Sequence, residues 1–343
     1  MEAIQDIEGG MMRIAISGGA GFLGSNIVEE AKNRGHEVII IDNLSRPQIE
    51  RNWWWIHKTY PEVNLFRFAI WNKWAIFNVC KMFKPDVIIH LAGQVGVTSS
   101  IRDPEYDFRT NALGTFTICE VARKLNCGII YSSTNKVYGD GINDIPLNEE
   151  ETRYDFKGEY YKKGIPESFS IGSLEHTPYG CSKLTGDLYV TDYGKVFKIP
   201  TVVNRMSTVY GKRQFGNVDQ GWLSHFIWSK VNNRLVTVFG NGKQLRDMLY
   251  GSDCAKCYID QAENLDEVKG NVFNLGGGWD NTLSLLEGLK MLKMDYSFGD
   301  WRPTDQKVYY SDISKLKKMI GWTPKVDIKR GLKLTEDWCY KNA

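Results

Sequence analysis

The sequence predicts an α/β protein, a doubly wound parallel sheet followed by a smaller C-terminal lobe. Three observations carry this. Short β-branched runs alternate with segments of helical period through the N-terminal part, a glycine-rich turn stands at the first strand-to-helix junction, and the strict alternation stops near Ser207. In order, "MRIAIS" and "HEVIIIDN" are strands, and between them Leu23, Ile27 and Ala31 recur every four residues, as on one helix face. "PDVIIHLAG" is a strand, "NALGTFTICEVARKL" a helix and "CGIIYSS" a strand, and "IPTVVNRM" follows another helical stretch. Beyond Ser207 come turn-rich segments such as "GKRQFGNVDQG" and "FGNGKQ". We expect residues 11–206 to form the first domain and 207–343 the second, with the chain crossing back near 247–265.

Composition narrows the partners. With 42% hydrophobic and 24% charged residues the chain can bury a sizeable core. Lys and Arg total 43 against 41 acidic residues, so the net charge of +2 points to no nucleic acid. Seven scattered cysteines read as reduced thiols, which predicts a cytoplasmic protein. Cys254 and Cys257 form a CxxC with no second pair to complete a zinc site, and we expect no metal. No apolar run approaches the ~20 residues of a membrane span. The leader "MEAIQDIEGG" is acidic and lacks the basic start and apolar core of a signal peptide. Trp53, Trp54 and Trp55 are adjacent, so on a helix they point in different directions and cannot form one stacking face. "SKLKKMI" reads as a solvated helix face. His36, His57 and His225 show no ligand spacing and are expected to be structural.

"ISGGAGFLG" sets Gly18, Gly21 and Gly24 directly after a strand and at the start of a helix. The first glycine permits a tight turn, the second a close backbone approach to a pyrophosphate, and the third close helix packing, with the helix N-terminus facing the anion. The second strand ends in Asp42, placed to accept hydrogen bonds from an adenosine ribose and to repel a 2′-phosphate. The domain is thereby Rossmann-like, with NAD as its expected cofactor.

"TPYGCSK" supplies Tyr179 and Lys183, four apart on one helix face. A phenol titrates near ~10 and needs help to act as a base. The ammonium and a cationic nicotinamide ring are both expected to lower its pKa. Tyr179 can then take a proton from a carbinol while hydride leaves the same carbon. Upstream, "YSSTNKVYGD" places a cluster of polar groups at the end of an apolar strand.

With these residues the chain resembles the extended short-chain dehydrogenase/reductase family across nearly its whole length. The matching segments include the glycine loop, "HLAG" at residues 90–93, "NALGT" at 111–115, "GNGKQLRD" at 240–247 and "GWTPKVDIKRGL". The resemblance implies that Thr134 completes a triad with Tyr179 and Lys183. It also implies that Phe22, Leu23, Asn43, Leu91, Ala92, Gln94, Asn111 and Ser132 join the cofactor site. Members that dehydrate nucleotide sugars carry an Asp-Glu pair directly after this Thr. Here Asn135 and Lys136 stand instead, and an amide cannot serve as the acid. What remains is oxidation and re-reduction at one carbon, an epimerisation in which tightly bound NAD is regenerated each cycle.

Within the family, "HLAGQV", "EETRY", "PYGCSK", "YGKRQF" and "DQGW" are similar to the branch that inverts C2 of CDP-linked hexoses. The alternatives are a 4-epimerase on the same scaffold and a non-catalytic NAD sensor. The resemblance implies a substrate site drawn from Gln94, Asn135, His176, Asn204, Gln214, Trp222, Arg246 and Arg302, the two arginines facing a diphosphate. It further implies a homodimer built on two helices per subunit. The chain departs from the family at Ala69, where many relatives have an Asp that contacts adenine, and at Arg205 and Thr208 in "RMSTVYG". Val95 replaces a lysine common in galactose 4-epimerases.

Overall fold

The computed structural model describes residues 10–172, 175–302 and 305–343. The chain begins β1 (Arg13–Ser17), α1 (Phe22–Asn33), β2 (Glu37–Ile41), α2 (Ile49–Thr59), β3 (Asn64–Phe66), α3 (Lys73–Phe83) and β4 (Val87–His90). Two short helices, α4 (Val97–Arg102) and α5 (Pro104–Phe108), and a π-helical turn over Arg109–Leu113 lead into α6 (Gly114–Leu125) and β5 (Gly128–Thr134). A 3₁₀ turn over Asn135–Tyr138 and a hairpin of β6 (Leu147–Glu149) and β7 (Tyr154–Phe156) precede the long helix α7 (Thr177–Phe197). Then come β8 (Thr201–Met206), β9 (Thr208–Tyr210), α8 (Trp222–Val231), β10 (Val236–Phe239), β11 (Leu245–Tyr250), α9 (Gly251–Glu263), α10 (Leu265–Val268) and β12 (Asn271–Leu275). The chain closes with β13 (Thr282–Ser284), α11 (Leu285–Leu292), β14 (Tyr296–Gly299), β15 (Val308–Tyr309), α12 (Ser314–Ile320) and α13 (Ile328–Asn342).

Seven parallel strands form the main sheet in the order β12-β8-β5-β4-β1-β2-β3. Helices cover both faces, so its strands are apolar on both sides rather than alternating. Ile14, Ile16, Val87, Ile88 and Ile89 are fully buried, each contributing about 1.5–3 kcal/mol. The strand order reverses between β1 and β4, and the crevice beyond their carboxyl ends is where such sheets bind ligands.

The second lobe holds β11 between β13 and β15, with β9 also paired to β11, a separate β10–β14 pair, and α8, α11 and α13 around a core of Leu223, Phe226, Ile227 and Leu289. The return crossing, expected near 247–265, begins with α9, which packs on α1, and continues through β12, the edge strand beside β8. The sequence of β12, "NVFNL", carries two asparagines and does not read as a sheet strand. Asn274 uses its side-chain amide and its backbone N–H for assembly. Its amide donates to Ile165 O at 2.7 Å, its Oδ1 accepts Tyr138 OH at 2.7 Å, and its N–H reaches Glu167 at 2.8 Å. The stretch between β5 and α7 also leaves the sheet, since Val137, Tyr138, Ile142 and Ile165 pack with Leu245, Val308 and Tyr309.

Several sequence expectations meet specific contacts. Trp54 is exposed, whereas Trp55 lies under the Arg213 guanidinium at 4.0 Å. His36 is buried between Met12 N and Glu263. Cys254 and Cys257 pack into the core on α9. The leader falls mostly on residues 1–9, outside the described ones. Among the described residues no helix is long and apolar enough to cross a membrane. Arg205 faces the interior, where it forks onto Asp187 of α7 at 3.0 and 3.1 Å.

Because Asp187 is buried and also accepts Ser133 Oγ at 2.7 Å, removing it strands a guanidinium in the core. Asp187→Ala should cost about 3–5 kcal/mol, read as a lower urea midpoint. Asp187→Ala with Arg205→Met should cost less than the two single changes summed.

Candidate active site

A cleft of about 960 Å³ runs from the glycine loop, past the ends of β4 and β5 and the start of α7, to β10 and β11 of the second lobe. Its volume is at the upper end for a small-molecule site and suits a dinucleotide together with a second ligand.

At one end Gly18 has φ of +72°, and a Cβ there would lie 2.7 Å from Ala92 N, because the β1 and β4 termini cross in backbone contact. A Cβ on Gly24 would overlap Gly18 O, so the third glycine lets α1 pack on its own loop. Gly21 is the N-cap of α1 and no side chain caps the helix, which leaves its first-turn N–H groups, at Phe22 and Leu23, beside the cleft. Asp42 accepts Ala20 N–H at 3.2 Å and Leu44 N–H at 2.9 Å, which uses two of its four lone-pair directions while the carboxylate lines the cleft. Burial holds its carboxyl above the usual range, and Arg46 opposes this. A buried anion with free acceptor positions, a capless helix start and backbone that admits no Cβ together fit a dinucleotide.

Asn43, Leu91, Ala92, Gln94 and Ser132 all line the cleft. Asn111 does not. It is fully buried in the π-helical turn, where Oδ1 accepts Gln94 N–H at 2.9 Å and Nδ2 donates to Gln94 O, Asp107 and Ser182. It braces the loop after β4 from behind.

Thr134 ends β5, and its Oγ1 accepts Lys136 N–H at 3.3 Å as the cap of the 3₁₀ turn. Tyr179 enters from the first turn of α7, its backbone N–H held by Ser100 Oγ at 3.1 Å and its phenol bonded to the Thr134 side chain. Burial pushes the Tyr179 phenol up to about 12, with the Thr134 hydrogen bond working the other way. The expected lowering relies on a cationic nicotinamide ring as well as the ammonium, and the protein's own groups alone hold the phenol above its ordinary value. The Lys183 ammonium donates to Ser132 O and sits 4.4 Å from the Tyr131 ring centre, and burial brings it down to about 7 against the pull of Asp187 and Asp107. Two charges bear on the phenol, Asp107 raising its pKa and Arg46 lowering it.

Of the expected substrate residues, Gln94, Asn135, Gln214, Trp222, Arg246 and Arg302 line the cleft. Arg246 Nη2 reaches Asp305 Oδ1 at 2.9 Å, and Arg302 lies 4.3 Å over the Phe239 ring with Nη2 on Val218 O at 2.6 Å. Trp222 Nε1 is buried with no partner among the described residues. Gln214 turns its amide inward, to Val209 O and Ser224 Oγ. Two expectations are corrected. Asn204 is fully buried in β8, its amide exchanged with that of Gln261 at 2.7 and 2.9 Å. His176 caps α7 with Nδ1 3.5 Å from Lys136 O and does not line the cleft.

Sequence reasoning missed Arg46, Asp305 and His225 as lining residues. Arg46 follows Asp42 by four residues in "DNLSRP", a readable signal. His225, expected to be structural, is half-buried on α8, where burial and then Arg302 lower its pKa.

Residues 14–276 match the NAD dependent epimerase/dehydratase family. A CDP-paratose 2-epimerase of Salmonella typhi is 41% identical, spanning 95% of this chain and 99% of its own. The crystal structure of a Thermotoga maritima UDP-glucose 4-epimerase with UDP-glucose superposes with a TM-score of 0.82 at 26% identity, covering 96% of this chain and 99% of that one. A Thermus thermophilus UDP-glucose 4-epimerase in complex with NAD gives 0.79 at 26% identity, over 97% and 100%.

Gly18→Ala should weaken NAD binding about 10-fold or more by calorimetry, since a left-handed backbone costs an L-residue roughly 1–2 kcal/mol and the Ala92 contact adds to it. Gly35→Ala, also at positive φ but with open space around it, should leave that affinity unchanged.

Proposed function

The chain belongs to the NAD dependent epimerase/dehydratase family, and from that premise we propose that it inverts C2 of a CDP-linked hexose of the paratose/tyvelose type. It is an NAD-dependent enzyme that epimerises a nucleotide sugar. The finer assignment of carbon and base rests on the Salmonella typhi relative. The observation that carries the chemistry is the strand end. Thr134 meets Tyr179 in the cleft, and the next two positions, Asn135 and Lys136, hold no carboxylate for a dehydration.

In this reading bound NAD supplies the hydride acceptor at C2 and, in turn, the donor to the opposite face of the 2-keto sugar. Thr134 Oγ1 holds the C2 oxygen and Tyr179 takes its proton. On re-reduction the same phenol returns it, so no net proton is consumed. A phenol held near about 12 gives up its own proton only beside positive charge. Arg46 is the cation of this chain that bears on it, and Lys183 lies one helical turn further along α7. Asp42, Asn43, Ser132 and the glycine loop hold the cofactor, which we infer stays tightly bound because each cycle regenerates it. Arg246 and Arg302 pair with the diphosphate. The structural likeness to UDP-glucose 4-epimerases supports the second reading, inversion at C4 on the same scaffold.

We take the substrate lobe as 207–343, joined by the excursion between β5 and α7 and interrupted by α9 and β12. A homodimer is supported by the exposed Phe108, Leu113, Leu188, Tyr189, Val196 and Phe197, an apolar strip leading into α6 and along α7. Seven free cysteines favour a reducing cytoplasm.

Proton NMR in D₂O with CDP-, UDP- and GDP-hexoses should show inversion at C2 of a CDP-hexose without deuterium uptake. Inversion at C4 would establish the second reading, and deuterium at C2 would rule out hydride transfer. Tyr179→Phe should lower kcat by about 10²–10⁴-fold with NAD content unchanged. Leu188→Glu with Phe197→Glu should convert a dimer to a monomer by light scattering.

A further inference from the structure

Lys136 has no part in the chemistry above, yet it stands on the cleft wall two residues beyond Thr134. Its place is tied to that residue, because Thr134 Oγ1 caps the 3₁₀ turn through Lys136 N–H. The side chain is about a fifth exposed, with its ammonium 3.9 Å from Asp305 Oδ1. That carboxylate oxygen is already engaged by Arg246 Nη2 at 2.9 Å. One carboxylate therefore faces two cations, and the shorter bond belongs to the arginine. Among the described residues Lys136 Nζ makes no hydrogen bond, although an ammonium offers three donors and loses solvation when half-buried.

These positions order the cleft. Thr134 and Tyr179 hold the oxygen of the reacting carbon, Arg246 faces the diphosphate, and Lys136 shares Asp305 with Arg246 while adjoining Thr134. We propose that Lys136 is a specificity-determining residue that donates charged hydrogen bonds directly to oxygens of the hexose, keeping the ring in register with Tyr179. The assignment rests on the nucleotide-sugar reading above. Among the described residues the charged and titratable groups around it are Asp305 on the segment before β15 and Arg246 on β11, with His176 against its carbonyl. Burial, seconded by Arg246, brings the ammonium down to about 8, and Asp305 offsets this only in part. The sign follows. The group is charged below about 8 and neutral above it, so the contact weakens as pH rises through that value.

The test measures kcat/KM for the CDP-hexose from pH 6 to 10, with NAD content and the Kd of CDP alone as companions. Lys136→Met should lower kcat/KM by about 10- to 150-fold below pH 8, the range of one charge-assisted hydrogen bond. It should leave NAD content and CDP affinity within about twofold and make the alkaline fall above pH 8 less steep, the fall that begins near pH 7 with Lys183 remaining. Lys136→Arg should keep most of the activity and move the fall above pH 8 upward. An unchanged kcat/KM in Lys136→Met, a fall above pH 8 as steep in it as in the wild type, or an equal loss of CDP affinity each overturns the proposal while the epimerase reading stands. Wild-type protein inactive on every nucleotide sugar overturns both.

Discussion

The active site depends on one seam, where α7 is fastened to the end of β5. Three successive strand residues are met by three positions of the helix. Ser132 gives its carbonyl to the Lys183 ammonium, Ser133 gives its hydroxyl to the Asp187 carboxylate, and the Thr134 side chain meets the Tyr179 phenol. Arg205 of the neighbouring strand β8 closes the seam by forking onto Asp187. A charge buried without a partner is expensive, so each of these groups is confined to one geometry by the cost of losing the others. The distance between Thr134 and Tyr179 is thereby set in part by Ser133, Asp187 and Arg205, which take no part in the proposed chemistry.

Burial that secures the seam also biases its acids and bases toward their neutral forms. Tyr179 is pushed up to about 12, while Lys183 and Lys136 are drawn down to about 7 and about 8. A phenol and two ammonium groups held this way are easily shifted by an added charge, since the surrounding dielectric screens little. Such a site responds to what binds it. The same low dielectric makes Arg46, whose charge reaches both Asp42 and Tyr179, a link between the cofactor end and the reacting end of the cleft.

The second lobe is held to the first by excursions in both directions. β12 returns to the main sheet, whereas the stretch between β5 and α7 leaves it to pack under β15. Asn274 stitches these two excursions together. Thr134, at the root of one excursion, and Arg246, on the strand before the other, face the same cleft for this reason.

Residues whose role follows from backbone necessity were legible in the sequence. The triplet Gly18, Gly21 and Gly24, Asp42 at a strand end and the four-residue spacing of Tyr179 and Lys183 each answer to a local geometry that a short segment states in full. Residues whose role depends on which distant partner reaches them first were not. Asn204, Gln214, Asn111 and His176 are polar groups of the kind that bind sugars, yet Gln261, Ser224, Gln94 and the Lys136 carbonyl engage them instead. The same competition hid the pairing of Arg205 with Asp187 and the membership of β12 in the sheet. The sequence by itself determined the glycine loop, the pair we propose to react and the absence of a dehydratase's carboxylates. Tertiary structure alone decided which polar side chains stay free to meet a ligand, because a hydrogen-bonding group inside a protein takes whatever partner packing brings within reach.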